Sequence, residues 1–260
     1  MIDTYNLWEG ETPLLISVPH DGSHLPANIR ARMSPAGLAL PDTDWHVAEL
    51  YDFARDLGAS MLVANYSRYV VDLNRSAADE DLYPGQVVTG LCPTQTFSGD
   101  AIYSEGAVSG EDKAQRVADY WQPYHARIES TLGALRAEHD YALLWDAHSI
   151  PSVVPRLFDG ALPELNIGTN NGKSCAPGIE AAVGEAARES PYSVAVNGRF
   201  KGGYITRHYG QPEQGVHAVQ LEIAQRAYMD EATTVFDAEK AYRLRDTLRR
   251  LLQACLDAAR

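Results

Sequence analysis

Leu14-Leu15-Ile16-Ser17-Val18-Pro19-His20-Asp21-Gly22 is the stretch on which the fold of this chain turns. Five of the six positions from Leu14 to Pro19 are apolar, the pattern of a strand buried on both faces. Pro19 stops the strand, and a His-Asp-Gly turn follows at its carboxyl end. Ligands of open α/β sheets bind at that end, because the strand-to-helix loops leave a crevice there. His20 is thus a candidate metal ligand or acid/base. Taken alone, it reads more readily as a histidine that closes a turn, so the question is whether other segments supply it with partners.

Working outward, the alternation of strand and helix patterns predicts an α/β fold, a three-layer αβα sandwich with a mixed central sheet. A Pro-rich loop leads to Leu40-Pro41-Asp42-Thr43-Asp44. Val47, Leu50, Tyr51, Ala54 and Leu57 then fall at helical spacing up to Gly58. Asp42, Thr43 or Asp44 could cap that helix. Met61–Ala64 and Tyr69–Leu73 read as strands, the second delivering Asn74 and Arg75. Residues 76 to 108 lack periodicity, and a loop of that length is commonly a functional lid. A helix from Ser109 to about Leu135 follows, kinked at Pro123. Tyr141–Trp145 reads as a buried strand with Asp146-Ala147-His148-Ser149 at its exit. Residues 150 to 177 read as loop, 179 to 186 as a short helix and 193 to 196 as a strand. Gly202 to Gly210 reads as a glycine-hinged loop, Ala218–Ile223 as a strand and Asp237 to Ala258 as a closing helix.

Bulk properties narrow the partners. The 260 residues, 45% hydrophobic and without a linker-like stretch, suggest one domain over residues 1–260. No apolar run reaches the roughly 18 residues of a membrane span. The amino terminus lacks the regions of a signal peptide, and three scattered cysteines form no disulfide framework, so a cytoplasmic setting is expected. A net charge of −13 argues against nucleic acid and acidic membranes. A small anionic substrate remains open if arginines cluster locally. The oligomeric state is left open.

Two predicted strand exits carry histidine, His20 and His148. Catalytic zinc sites often join two His and one carboxylate and leave the fourth position to water. Asp44 or Asp42 can supply the carboxylate, and Asp44, beside the first strand's end, is preferred. Asp146 would share a strand face with His148 and could orient it. Glu222, between Leu221 and Ile223, is costly to bury without a purpose, either as a general base or in an ion pair. Arg68, Arg75 and Arg207 sit at predicted strand ends or in the glycine loop. Guanidinium groups hold carboxylates in bidentate fashion, so these arginines point to a small dicarboxylate substrate.

The segments LLISVPHDG, LPDTDWHVAELYDFARDLGAS, YSRYVVDLNR, LLWDAHSIPS, NGRFKGGYITRHYG and HAVQLEIAQRAYM resemble the N-formylglutamate deformylases, or N-formylglutamate amidohydrolases. The likeness runs from about Leu14 to Met229. It implies a fold similar to the zinc carboxypeptidases and aspartoacylases (phosphorylase/hydrolase-like), and hydrolysis of N-formyl-L-glutamate to L-glutamate and formate in histidine degradation. By the same resemblance His20 and His148 are the histidine metal ligands, Glu222 is the catalytic glutamate, and Asn74-Arg75 is a carboxylate clamp. The His-x-x-Glu pattern of carboxypeptidase-type sites is absent, since Ser23 stands at the third place after His20. Asp44 is inferred as the third ligand instead.

The expected reaction is metal-assisted amide hydrolysis. Zn²⁺, or another divalent ion, would be held by His20, Asp44 and His148, with Glu222 as base. Arg68, Asn74, Arg75, Tyr204, Thr206 and Arg207 would line the substrate pocket. Two alternatives keep parts of this reading: an aspartoacylase-like or carboxypeptidase-like hydrolase of another N-acyl amino acid, and a non-catalytic binder of acidic metabolites.

Overall fold

Seven strands form one mixed sheet in the computed structural model, which describes residues 2–80, 89–105 and 108–259. In chain order they are β1 (Tyr5–Trp8), β2 (Leu14–Val18), β3 (Ser60–Ala64), β4 (Ala142–Ile150), β5 (Leu165–Gly168), β6 (Val194–Val196) and β7 (Val216–Ala224). Their spatial order is β1-β3-β2-β4-β7-β5-β6. The central β3, β2, β4 and β7 run parallel, whereas β1 and β5 run antiparallel to their neighbours β3 and β7. The helices are the short α1 (Ala27–Arg30), α2 (Pro35–Leu38) and α3 (Val47–Leu50), then α4 (Gly110–Arg116), α5 (Gln122–His139), α6 (Pro177–Arg188), α7 (Tyr204–Tyr209) and α8 (Ala238–Ala258).

Strand periodicity sorts the core into two layers. Leu14, Ile16 and Val18 of β2 share one face with Leu143, Trp145 and Ala147 of β4 and with Val219, Leu221 and Ile223 of β7. Ile179 and Val183 of α6 and Leu244, Leu248 and Leu251 of α8 cover that face. Leu15, Leu144 and Ala218 point the other way, onto Tyr124, Ile128 and Leu132 of α5. The apolar residues of α5 recur at helical spacing, and the Asp237 carboxylate caps α8 by accepting from the Glu239 and Lys240 amides. The same alternation governs the polar residues further along these strands. Asp146 and His148 continue the Leu144 face, and Gln220 and Glu222 continue the Ala218 face. Their register pairs Asp146 with Gln220 and His148 with Glu222.

The structure differs from the sequence reading in several places, each with a physical reason. Residues 69–73 are not a strand: Val70 donates to Ser67 O in a turn, and the apolarity of Tyr69 and Val70 reflects burial against Leu25 and Ile29. Asp146–Ser149 is not an exit loop but the second half of β4, which runs on to Ile150. The stretch expected to be a glycine loop forms α7 after Gly203, because Asn74 Oδ1 accepts from the Ile205 amide at its first turn. The helix expected after Asp44 is α3 followed by a 3-10 turn over Asp52–Leu57. The kink expected at Pro123 takes the form of a π turn over Val117–Trp121, just before that proline. β1 and β5 were not anticipated. Part of the expected lid, residues 81–88 and 106–107, lies outside the described residues. Among those described, no helix is long and apolar enough to cross a membrane.

Candidate active site and metal centre

Three parallel strands, β2, β4 and β7, bring their carboxyl ends to one place, and the loops after β2 and before α3 close over it. Asp44 is tied to this place through its backbone, its amide donating to His20 O. It is also spared the capping role that the sequence allowed it. Asp21 accepts from the Val47 amide at 2.9 Å and so serves the first turn of α3. Asp42 is occupied elsewhere, its Oδ2 accepting from the Tyr69 hydroxyl at 2.6 Å and the Phe97 amide at 2.8 Å. Asp44 is therefore the carboxylate that meets the histidines.

His20, Asp44 and His148 are all buried, and one ligand atom from each lies within 4.8 Å of the other two. His20 Nε2 lies 2.8 Å from Asp72 Oδ1, so with an ionised Asp72 that nitrogen carries the proton. Nδ1 is left as a bare lone pair, without a hydrogen-bond partner among the described residues, 3.7 Å from Asp44 Oδ2. Two acceptors facing one another in a buried place repel unless a cation or proton lies between them. Asp44 Oδ2 also takes His148 Nδ1 at 3.1 Å and the Ser149 amide at 3.0 Å.

His148 Nε2 has two neighbours that call for opposite protonation: Asn74 Nδ2 at 3.0 Å and Asp146 Oδ1 at 3.1 Å. The Asn74 contact is aligned as a hydrogen bond, while Asp146 Oδ1 lacks an aligned donor. The Asn74 amide is fixed, because its Oδ1 already accepts from Ile205. With Nδ1 bound to a cation, Nε2 must carry the proton, and Asp146 is then its acceptor. Asp72 and Asp146 thus stand behind the two histidines in the carboxylate–histidine arrangement that orients metal-binding imidazoles.

The electrostatics agree. Burial acts to raise the Asp44 carboxyl, but the hydrogen bond from His148 and the nearness of the two imidazoles outweigh it and hold Asp44 below the usual carboxylate range. Asp72 is likewise lowered against its burial by His20 and Arg68. Burial acts to lower His148, yet Asp146 and Asp44 hold it well above the usual histidine value. Three buried carboxylates around two imidazoles, with Arg68 pairing Asp72 at 2.9 Å and Asp44 at 3.3 Å, leave negative charge that a divalent cation would balance. The donor set of two nitrogens and one oxygen fits such an ion.

A cleft opens beside this centre. Glu222 lines it, and burial, with Asp44 adding and His148 opposing, pushes its carboxyl up to about 8. Arg68, Asn74 and Arg75 line the cleft. The Arg68 guanidinium is committed to Asp44 and Asp72 and lies over the Phe97 ring. Arg75 is anchored through Thr89 O, Thr89 Oγ1 and Asn74 O, three bonds that do not exhaust its five N–H donors. Tyr204, Thr206 and Arg207 do not line the cleft. Tyr204 stacks on His208, Thr206 Oγ1 donates to Asp146 Oδ2 at 3.1 Å, and Arg207 Nε donates to Gly202 O.

Sequence reasoning missed Asp72, Arg199, Phe200 and Gln220, of which the last three line the cleft. Asp72 carried a usable signal, a charged residue inside the apolar run Tyr69–Leu73. Gln220 carried another, since it shares the Glu222 face of β7.

Comparison with known proteins bears on the same arrangement. A family model described as N-formylglutamate amidohydrolase matches residues 12–229. A curated N-formylglutamate deformylase of Pseudomonas aeruginosa is 52% identical over 259 residues, covering 98% of this chain and 97% of the relative. Its namesake from Pseudomonas putida is 49% identical over 251 residues, covering 95% and 94%. The crystal structure of an N-formylglutamate amidohydrolase from Ralstonia eutropha superposes with a TM-score of 0.84 at 25% identity, over 97% of this chain and 98% of that one.

Proposed function

The chain belongs to the N-formylglutamate amidohydrolase family, and from that membership we propose that it hydrolyses N-formyl-L-glutamate to L-glutamate and formate, as a metal-dependent enzyme. The observation that carries the metal dependence is the bare Nδ1 of His20 facing the Asp44 carboxylate beside His148. Those three residues would hold the ion, with zinc the first expectation for two imidazoles and a carboxylate. When bound, such an ion acidifies water and polarises a carbonyl oxygen.

The chain's own residues supply the rest. Glu222 faces His148 across the β4–β7 register, in a buried position where its carboxyl exchanges a proton near neutral pH. It takes the proton of the attacking water and returns it to the departing nitrogen of glutamate. Asp72 and Asp146 keep His20 and His148 in the tautomer that presents Nδ1 to the ion. Arg75 holds one carboxylate of the substrate, and Arg199, which also lines the cleft, holds the other. Arg68 acts one layer back, keeping Asp44 and Asp72 ionised. A formyl group offers little to grip, so selectivity rests on the glutamate part. The reaction belongs to the terminal step of histidine degradation.

The test is direct. Purified protein should release formate and glutamate in equal amounts from N-formyl-L-glutamate, and a chelator should abolish this until a divalent ion is restored. Turnover that persists after exhaustive chelation, with no metal by elemental analysis, would remove the metal centre from the reading.

A further inference from the structure

Gln220 lines the cleft, and the preceding scheme leaves its chemistry unused. It is 3% exposed, and an amide side chain in a buried strand is costly unless both of its ends are satisfied. Only one end is. Its Oε1 accepts from the Gly203 amide at 2.6 Å. A backbone N–H can only donate, so the atom facing Gly203 must be the oxygen, and the orientation of the amide is fixed. Nε2 then points away from Gly203. Among the described residues it has no hydrogen-bond partner, and it is not among the atoms sealed from solvent, so it opens on the cleft that Gln220 lines.

Gly203 is packed closely against the side-chain amide of Asn74. A Cβ at Gly203 would stand 2.3 Å from Asn74 Nδ2. Asp146, the register partner of Gln220, turns Oδ2 to Thr206 and Oδ1 to His148. The two N–H donors of Gln220 are thus left for a ligand.

Distance along the strand says which part of a ligand. Gln220 and Glu222 lie on one face of β7, two residues apart, roughly 6.6 Å along the strand. Glu222 and His148 mark the reacting centre. An extended chain from the formyl carbon to the side-chain carboxyl carbon of glutamate spans about 6 Å, from ordinary bond lengths. Aspartate falls short by one methylene.

We propose that the Gln220 amide, locked by Gly203, donates to the side-chain carboxylate of the bound N-formyl amino acid and sets the enzyme's selectivity for glutamate by charge and length. This rests on the hydrolase reading above for the identity of the ligand. A neutral donor in the cleft that Arg75 also lines adds a directional contact without further positive charge, and it favours an acceptor-only group such as a carboxylate over the amide of glutamine.

Gln220→Glu keeps an oxygen for Gly203 and exchanges the donor for an anion. The variant should raise KM for N-formyl-L-glutamate at least 10-fold with kcat within about 3-fold, and should reduce the preference for N-formyl-L-glutamate over N-formyl-L-glutamine at least 30-fold. Gln220→Met, close in size, should raise KM for the glutamate substrate without improving the glutamine one. Metal content and thermal melting of both variants report on folding. Calorimetric binding of L-glutamate and L-glutamine gives the same comparison without turnover, and the preference for L-glutamate should shrink in Gln220→Glu. Both substrates falling by the same factor, or an unaltered binding preference in a folded variant, would overturn the assignment. Absence of turnover in the wild type together with a shifted binding preference would sink the hydrolase reading and leave the role of Gln220 standing.

Discussion

Glu222 and His20 illustrate how differently buried polar residues can be sustained. Glu222 is held in a protonatable state by burial, with its carboxyl near 8, while His20 has one nitrogen held by Asp72 and the other left bare. Removing the proton acceptor should therefore separate chemistry from metal binding. Glu222→Gln preserves shape, and we expect kcat to fall by about 10²- to 10⁴-fold, with the metal content by elemental analysis unchanged. Normal turnover in that variant would exclude Glu222 as the base. Asp72 acts on the other side of the balance. Asp72→Asn retains an acceptor for His20 Nε2 but removes the charge that faces the ring and pairs with Arg68. Metal affinity should drop about 10- to 100-fold, as measured by competition with a chromogenic chelator. An unchanged affinity would mean that Asp72 serves Arg68 alone.

At the scale of elements, the junction between Asn74 and the start of α7 links substrate cleft and metal centre. Asn74 caps α7 through Ile205, touches His148 through Nδ2 and leaves no room for a side chain at Gly203. Gly203→Ala would force Asn74 away, an overpacking that typically costs about 1–3 kcal/mol. We expect a lowered melting temperature and a kcat/KM for formate release reduced about 10- to 100-fold. Gly133→Ala, inside α5 with open space around its Cβ position, is the control and should be neutral or stabilising by up to ~1 kcal/mol. The same junction explains what was legible in the sequence. Local signals sufficed for β2, for the helical spacing of α5 and α8, and for His20, His148 and Glu222, because continuous apolar runs and odd polar residues within them are local facts. Tyr69–Leu73 misled because burial against a loop cluster produces the same apolar run as a strand. α7 was hidden because its glycines read as a loop and its capping group, Asn74, comes from a distant segment. Arg207 and Arg199 are eight residues apart, and only the folding of α7 decides that the latter faces the cleft.

At the scale of the whole molecule, the face of the sheet that carries the site must also hold α5 in place, and His125 couples the two. Its ring is buried beneath the Asn74 loop. Leu73 O can only accept, so His125 Nε2 carries the proton, and Nδ1 accepts from the Tyr209 hydroxyl at 2.9 Å. Desolvation by burial dominates and pushes the imidazole down to about 3, against the Leu73 hydrogen bond that favours the charged form. A histidine of the unfolded chain titrates near 6.5. Between these values the unfolded state binds a proton that the folded state refuses, so the contribution of His125 is complete above about 6.5. It is lost as pH falls toward 3, at up to about 1.4 kcal/mol per pH unit. His148 has the opposite sign: its raised value favours the folded state below the unfolded pKa, and that contribution fades as pH rises through the folded one. The two must be separated by difference. Urea midpoints of wild type and His125→Asn in metal-free protein should converge as pH falls from 7 to 5, with about 2 kcal/mol of the gap at pH 7 removed. The variant has no titrating ring to resist protonation, so only the wild type loses this increment. A gap that stays constant between pH 7 and 5 would show that His125 is protonated within the fold, with the Asn74 loop and α5 held together by other contacts.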